Sequence, residues 1–339
     1  MKILVTGSAG FIGGYLISEL LEHDYEVIGL DNDWKYGPIE REIDSHPRYR
    51  FIKGDAKDTE LLKELIHDCD HFVAGAAIIG GISLFHELAY DLIAENERIS
   101  ASAFDAAIWA NKNKKLQKIT VISSSMVYES ADIYPTPEGA QLRSPPPSST
   151  YGFQKLATEY FARGAWEQYQ LPFTIVRPFN CVGIGERRAL VDSETKSGNI
   201  KLAMSHVVPD LVQKLVKGQD PLHILGDGSQ VRHYTYGGDL ARGIRSCIEH
   251  PRAKNEDFNI STSVSTTVLE LARLIWAKIR PLQEFNFTTD PPFPHDVQKR
   301  VPDTSKARKV LGFEATTSLE AALDEIIPWV TKEVELARI

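Results

Sequence analysis

The chain has 339 residues, enough for one large domain or two smaller ones, and its 42% hydrophobic and 25% charged content is ordinary for a globular protein with a core of good size. The net charge of −8 argues against general nucleic-acid binding, which needs a basic surface, but is compatible with a locally basic site for an anionic small molecule. Cys69, Cys181 and Cys247 form no Cys-x-x-Cys pair, no apolar run reaches about eighteen residues, and the first residues go straight into a strand pattern, so the expectation is a reduced, cytoplasmic setting with no membrane span and no signal peptide.

Ile3, Leu4 and Val5 make a short buried-strand pattern, and Gly7, Gly10 and Gly13 follow at once in the spacing G-x-x-G-x-x-G. Ile12, Leu16, Leu20 and Leu21 then recur at helical spacing, and Val27, Ile28 and Leu30 form a second strand ending on Asp31. The glycines permit a tight turn, close approach of backbone N–H groups to a pyrophosphate, and close packing of helix on strand. The helix N-terminus offers the phosphates its unpaired N–H groups and positive dipole end. Asp31 stands where a carboxylate accepts hydrogen bonds from the adenosine ribose hydroxyls. Strand, glycine turn, helix and acid together predict a dinucleotide site; a glycine triplet alone would equally suit a turn with no ligand. Asp31 favours NAD by repelling a 2′-phosphate, while Lys35 and Arg41, further on, could tolerate NADP.

The next strands are expected at 51–52, before Gly54 and Asp55, and at 71–74, with a helix over 61–66 between them. Ala76 and Ala77 place small residues where a strand end meets a flat cofactor, and Gly80-Gly81 opens a loop. A long helix over about 89–110 leads to a strand at 119–122 that ends in Ser123-Ser124-Ser125. A Pro- and Ser-rich excursion over 134–149, a helix over about 152–169 and a strand at 173–176 closed by Arg177-Pro178 complete the alternation. This βαβ pattern predicts a parallel, doubly wound sheet. Beyond it the reading gives a mobile loop over about 184–201, helices over 207–216, 240–250, 269–279 and 319–334, strands at 222–225 and 258–260, and a proline loop over 290–294. The expected fold is α/β: a Rossmann-type doubly wound parallel sheet over 1–178 with a return segment at about 237–260, and a smaller C-terminal α/β substrate lobe made of 179–236 and 261–339. Ligands would lie between them, at the carboxyl ends of the strands.

Tyr151 and Lys155 are four residues apart at the start of a predicted helix, so both fall on one face. An ammonium beside a phenol lowers the phenol's pKa, which would let Tyr151 act as a general base near neutral pH. The pair is common by chance, and a solvated helical pair is the alternative. The serine run at the sheet's carboxyl edge strengthens the catalytic reading by placing a hydroxyl where it can bond a substrate oxygen.

With Thr6-Gly7-Ser8-Ala9-Gly10-Phe11-Ile12-Gly13, Gly54-Asp55, Ser123 to Tyr128, Tyr151 to Lys155, Arg177-Pro178-Phe179-Asn180, Gly226-Asp227-Gly228, Arg232 to Tyr236 and Arg300 to Ala307, the chain resembles the extended short-chain dehydrogenase/reductases, specifically the NAD-dependent nucleoside-diphosphate-sugar epimerases and dehydratases. The likeness spans essentially the whole length and is specific for the family, much less so for the substrate. It implies that Tyr151 is the acid/base, Lys155 its electrostatic partner and a ribose ligand, and Ser124, with Ser125 as the near alternative, the hydroxyl on the reacting oxygen. It implies cofactor contacts from Gly7, Gly10, Phe11, Ile12, Gly13, Asp31, Asn32, Ala76, Tyr151 and Lys155, adenine flanked by Asp55 and Ala56, and Asn96 where the family has an asparagine that steadies the active site. Substrate contacts would come from Gly80, Gly81, Ser125, Asn180, His206, Arg232 and Arg300, the two arginines holding the phosphates. No metal is implied.

Departures from the family pattern narrow the reaction. Dehydratases carry Asp-Glu where this chain has Ser125-Met126, and sugar-acid decarboxylases keep a Glu at the second position. Ala77 to Ile82 resembles the loop of GDP-fucose synthase and GDP-mannose 3,5-epimerase, and Ser205 to Pro209 the segment bearing the catalytic His of GDP-fucose synthase, but those enzymes use a cysteine where Met126 stands, and a thioether cannot transfer a proton. The leading reading is an NAD-dependent C4 epimerase of a nucleoside-diphosphate sugar. The alternatives are a GDP-sugar 3,5-epimerase, a 4-keto reductase and a non-catalytic NAD-binding sensor; His206, and more weakly His86, could contact substrate. The family often forms a homodimer through two helices of each subunit. Here Leu92, Ile99, Phe104, Ile108, Leu156 and Phe161 could serve that interface or the chain's own core.

Overall fold

The computed structural model describes residues 1–79, 88–186, 192–195, 198–201, 206–292 and 297–338. Seven strands form its main sheet: β1 Lys2–Thr6, β2 Glu26–Asp31, β3 Tyr49–Lys53, β4 His71–Ala74, β5 Lys118–Ile122, β6 Phe173–Pro178 and, after a long excursion, β13 Glu256–Ile260. All six pairings are parallel, and the order is β13-β6-β5-β4-β1-β2-β3. The strands carry apolar runs such as Ile3-Leu4-Val5 because helices cover both faces and neither face meets water. The winding direction reverses between β1 and β4, where Val5 pairs with Val73 and Thr6 with Ala74. Such a reversal opens a crevice at the carboxyl ends of the two strands.

Helices α1 Phe11–Glu22 and α6 Gly237–Glu249 cover one face, burying Leu16, Ile17, Leu20, Leu240, Ile244 and Cys247 against Val5, Val27, Val176 and Phe258. Helices α2 Thr59–Ile66, α3 Ala89–Asn113 and α4 Thr150–Tyr169 cover the other. Ala103, Ala106, Ala107 and Ala110 let α3 lie close to the sheet, and Phe104 stacks on Phe161 of α4. Leu92, Phe104 and Leu156 are buried in this chain's own clusters, and Ile99, Ile108 and Phe161 pack against them partly buried.

A separate apolar cluster joins α5 Val207–Val216, α7 Val268–Ile279 and α9 Leu319–Glu335 to the parallel pair β10 Leu222–Leu225 and β15 Phe287–Asp290. Short pairs link this part to the sheet side: β7 Cys181–Val182 with β12 Thr235–Tyr236, and β11 Val231–Arg232 with β14 Thr266–Thr267. Strand β15 and helix α8 Ser305–Leu311 escape the periodicity reading: each is a short segment whose burial is set by distant neighbours. Helix α6 starts three residues earlier than expected, at Gly237, and β13 starts at Glu256. The segment read as a loop over 184–201 includes an antiparallel pair, β8 Asp192–Thr195 and β9 Gly198–Lys201. Gly80, Gly81, His86, Ser205 and Pro294 lie outside the described residues. No described helix is long and apolar enough to cross a membrane.

Candidate active site

The turn after β1 sits at the switch point. Gly7 takes φ +76°, a left-handed conformation, and its N–H and that of Ser8 donate to the Leu30 carbonyl at 2.9 and 3.3 Å. A Cβ on Gly7 would stand 2.9 Å from the Ala76 backbone, and one on Gly13 only 2.2 Å from the Gly7 carbonyl oxygen. The cradle therefore admits no side chain at either position. Gly10 caps α1 in an extended conformation and contributes no side-chain cap, so the first-turn N–H groups and the positive helix end face the crevice. Asp31 closes the cradle from β2: its Oδ2 accepts from Ala9 N–H at 3.0 Å and its Oδ1 from Asp33 N–H at 2.9 Å. Burial pushes its carboxyl pKa up against those two bonds. The cradle and acid fit a dinucleotide's pyrophosphate and ribose. Arg41, one of the two cations named as tolerating a 2′-phosphate, donates to the Ser8 carbonyl at 2.6 Å and pairs with Asp44.

These groups open on a cavity of about 540 Å³. Gly7, Gly10, Phe11, Ile12, Gly13, Asp31, Asn32, Asp55, Ala56, Ala76 and Lys155 line it, most of the residues expected at the cofactor, with His206, expected at the substrate; Tyr151 is not part of the lining. Asn96 does not line that cavity. It is 1% exposed, accepts from Ile78 N–H at 2.7 Å and donates to the Ile78 carbonyl at 3.0 Å. Its place is to clamp the backbone after β4, and it reaches the cavity only through Ile78. The sequence reading missed Trp34, Tyr36, Glu95 and Glu186, which also line the cavity. Trp34 and Tyr36 follow Asp31 closely enough that the acid pointed to them; nothing local marks Glu95 or Glu186.

Ser124, Tyr151 and Lys155 converge at the carboxyl end of β5. Ser124 caps a short turn of 3-10 helix, Ser125–Tyr128, accepting from Met126 N–H at 3.2 Å. Ser149 caps α4 by accepting from Gly152 N–H, which starts the helix just ahead of Tyr151. Lys155 Nζ donates to the Ile122 carbonyl at 2.9 Å and lies 5.9 Å from the Tyr151 ring centroid. The lowered phenol pKa expected from the Tyr-Lys spacing is reversed here. Burial pushes Tyr151 up, while its hydrogen bond with Ser124 and the charge of Arg300 pull it the other way. Burial also pulls the Lys155 ammonium down to about 8. The spacing argument placed both groups on one face but took no account of desolvation, which disfavours both charged forms.

Of the residues expected at the substrate, Arg300 lies near enough to Tyr151 to act on its charge, and His206 lines the cavity. Asn180, after β6, holds φ +37° and accepts from Thr235 N–H, and its buried Nδ2 has no hydrogen-bond partner among the described residues. Such a donor is left for a water or a ligand to satisfy. Arg232 is 7% exposed and donates to the Val231 and Gln298 carbonyls, and Arg300 joins the same segment through its N–H to Val231. His206 caps α5 and hydrogen-bonds Glu186. Ser125 is buried, and Met126 packs with Leu92 and Ile79 around Tyr151.

Residues 3–261 match the NAD dependent epimerase/dehydratase family. The chain is 28% identical over 330 residues to a putative UDP-glucose 4-epimerase of Methanocaldococcus jannaschii, covering 97% of this chain and 98% of that one. It is 25% identical over 333 residues to dTDP-4-dehydro-6-deoxy-D-allose reductase of a Streptomyces species, covering 96% and 95%. Among solved structures it resembles UDP-glucuronic acid 4-epimerase of Bacillus cereus in complex with UDP-glucuronic acid and NAD, with TM-score 0.83, 26% identity and coverage of 98% and 99%. The family model spans residues 3–261, the stretch that holds the sheet, the cradle and Ser124, Tyr151 and Lys155: this chain belongs to the NAD-dependent epimerase/dehydratase family, and its cofactor is NAD.

Proposed function

We propose that the protein is an epimerase of a nucleoside-diphosphate sugar, acting at C4. The observation that carries this reading is the Ser124–Tyr151 hydrogen bond beside Lys155, with no proton-transferring side chain at position 126. Phosphate contacts are assigned to Arg232 and Arg300 and a sugar-diphosphate contact to Asn180, whose unsatisfied amide supports it. The described residues contain no group of His, Cys, Asp and Glu suited to hold a metal ion.

The cradle of Gly7, Gly10 and Gly13 would hold the pyrophosphate, Asp31 the adenosine ribose, and Asp55 with Ala56 the adenine. When bound, NAD supplies the oxidation and re-reduction of the sugar carbon, together with a positive ring charge that favours the phenolate. Tyr151 takes the C4 hydroxyl proton and later returns it. Ser124 holds the same oxygen by a hydrogen bond, keeping it in line with the phenol. Lys155, beside the phenol, biases it toward the charged form and holds the nicotinamide ribose. The sugar turns over as a 4-keto species before the proton comes back. The relatives support this reading by their names: UDP-glucose 4-epimerase and UDP-glucuronic acid 4-epimerase recur among them. We also infer a homodimer through α3 and α4, on which Tyr90, Phe153 and Tyr160 are 63%, 47% and 58% exposed.

Proton exchange tests the assignment. At C4 the carbon-bound hydrogen moves within the site, so turnover of a sugar nucleotide in D₂O leaves the product's carbons unlabelled by mass spectrometry. A 3,5-epimerase must exchange a carbon-bound proton with side chains that exchange with solvent. Deuterium at C3 or C5 would refute the C4 assignment and make His206 the leading acid.

A further inference from the structure

Behind the Ser124–Tyr151 pair lies a buried polar network to which the proposed chemistry gives no part. Glu159 stands one helical turn beyond Lys155, so Tyr151, Lys155 and Glu159 form one stripe along α4. Its side chain is 1% exposed and that of Arg177, on β6, is fully buried. Glu159 Oε1 accepts from Arg177 Nε at 2.7 Å and from Ser123 Oγ at 2.7 Å. Oε2 accepts from Arg177 Nη2 at 2.7 Å and from Gln141 Nε2 at 3.3 Å. The remaining guanidinium nitrogen, Nη1, donates to the Tyr128 hydroxyl at 2.8 Å, which donates in turn to Asn259 Oδ1 on β13 at 2.9 Å. Arg177 Nη2 also reaches Asp257 Oδ2 at 2.7 Å.

Ser123 directly precedes Ser124, and Tyr128 ends the turn that Ser124 caps. The ion pair therefore grips both ends of the segment carrying Ser124 and, through Glu159, the helix carrying Tyr151. A bidentate guanidinium–carboxylate fork is the stiffest such tie available to side chains. Buried pairs of this kind add little net stability compared with apolar packing. We propose that Glu159, clamped by Arg177, is a positioning residue that sets the separation of the Ser124 and Tyr151 hydroxyls. The kinetic consequence rests on the C4-epimerase reading; the geometric one does not.

Two variants test it. Glu159→Gln keeps the shape but turns an amide NH₂ toward the Arg177 donors. Ser123→Ala removes a single hydrogen bond to Glu159 and leaves the ion pair intact, so it keeps a folded protein even if the first variant does not. Crystal structures of the NAD-loaded chain should show Ser124 Oγ and Tyr151 Oη parted beyond hydrogen-bond reach in at least one variant. In that variant kcat should fall roughly ten- to a hundredfold, the scale expected for misplacing reacting groups, with KM for the sugar nucleotide within about threefold. Because the Ser124 hydrogen bond favours the phenolate, the limb of the kcat pH profile belonging to Tyr151 should move to higher pH. Ser123→Ala and any folded Glu159→Gln protein with an unchanged hydroxyl separation and an unmoved limb would overturn the proposal. If the wild type turns over no sugar nucleotide, the C4 reading falls and the crystallographic separation alone decides the positioning.

Discussion

Gly13→Ala probes the cradle where the geometry leaves least room. The added Cβ would sit 2.2 Å from the Gly7 carbonyl oxygen and 3.0 Å from Ser8 Cα and carbonyl oxygen, all of them backbone atoms. To reach 3.0 Å, below which real Cβ contacts essentially never fall, the first turn of α1 must back away by about 0.8 Å. The opposing strand cannot yield, because Gly7 and Ser8 are pinned to Leu30 and Gly7 also accepts from Gly10 N–H at 3.1 Å. The displaced atoms include the first-turn N–H groups facing the pyrophosphate. Losing alignment of about two charge-assisted hydrogen bonds weakens NAD binding by about 2–3 kcal/mol, or roughly 30- to 150-fold. Gly14→Ala is the control: its Cβ would meet only Arg41 Nη1, at 4.0 Å, and alanine is the better helix former. Calorimetric titration with NAD, alongside thermal unfolding, separates binding from folding. A folded Gly13→Ala protein binding NAD within threefold of wild type, or a Gly14→Ala protein equally damaged, would refute the reasoning.

Three further outcomes follow from the same contacts. Asp31→Ala removes both the ribose acceptor and the charge that repels a 2′-phosphate, so the preference for NAD over NADP, measured by titration of each, should shrink; tighter NADP binding to the wild type would contradict the role given to Asp31. Tyr151→Phe keeps the ring in the Met126–Leu92 cluster and should preserve NAD binding while turnover falls by about 10² to 10⁴; near-normal turnover would make Tyr151 structural. Burial raises the Asp257 carboxyl, but Arg177 and Lys306 outweigh it and hold it down at about 2. That depressed pKa contributes stability that is present above the ordinary value of 3.8 and is lost as pH falls through about 2. Asp257→Asn should therefore cost about 2 kcal/mol in denaturant unfolding at pH 6, with the gap from wild type closing between pH 4 and pH 2; a gap independent of pH would disprove the linkage.

How much of this could be read from the sequence depends on whether the signal is local. The cradle was legible because glycine spacing, flanking strands and Asp31 all fall within thirty-one residues, with Gly7 dictated by backbone conformation and Gly13 by close packing. Tyr151 and Lys155 were legible as one helix face, yet the direction of their pKa shifts was not. Spacing shows which groups are neighbours; burial and the turn of Lys155 toward Ile122 appear only in three dimensions. Glu186, which meets His206 on the cavity wall, has no signature because the contact joins loops twenty residues apart. Glu159 stood at the telling spacing, four beyond Lys155, but its partner Arg177 lies inside a strand, where a charged residue reads as an interruption until the β6–β13 pairing brings Asp257 beside it.

The topology explains why these distant segments meet at one edge. In a parallel sheet every strand delivers its following residue to the same side. Gly7 follows β1, Ala76 closely follows β4, Ser124 follows β5 by two residues, and Asn180 follows β6 by two. The cofactor cradle and the hydroxyl centre are thus set by strand ends whose register is fixed from Ile3 opposite His71 to Ile122 opposite Val176. Arg232 and Arg300 are placed differently, by β11 and the segment bonded to it, outside the main sheet. On the proposed function, divergence there would retune what the arginines grip without disturbing the sheet or the helix that carries Tyr151. On that function, the strand ends would then carry the redox chemistry, and the choice of sugar nucleotide would be set outside the sheet.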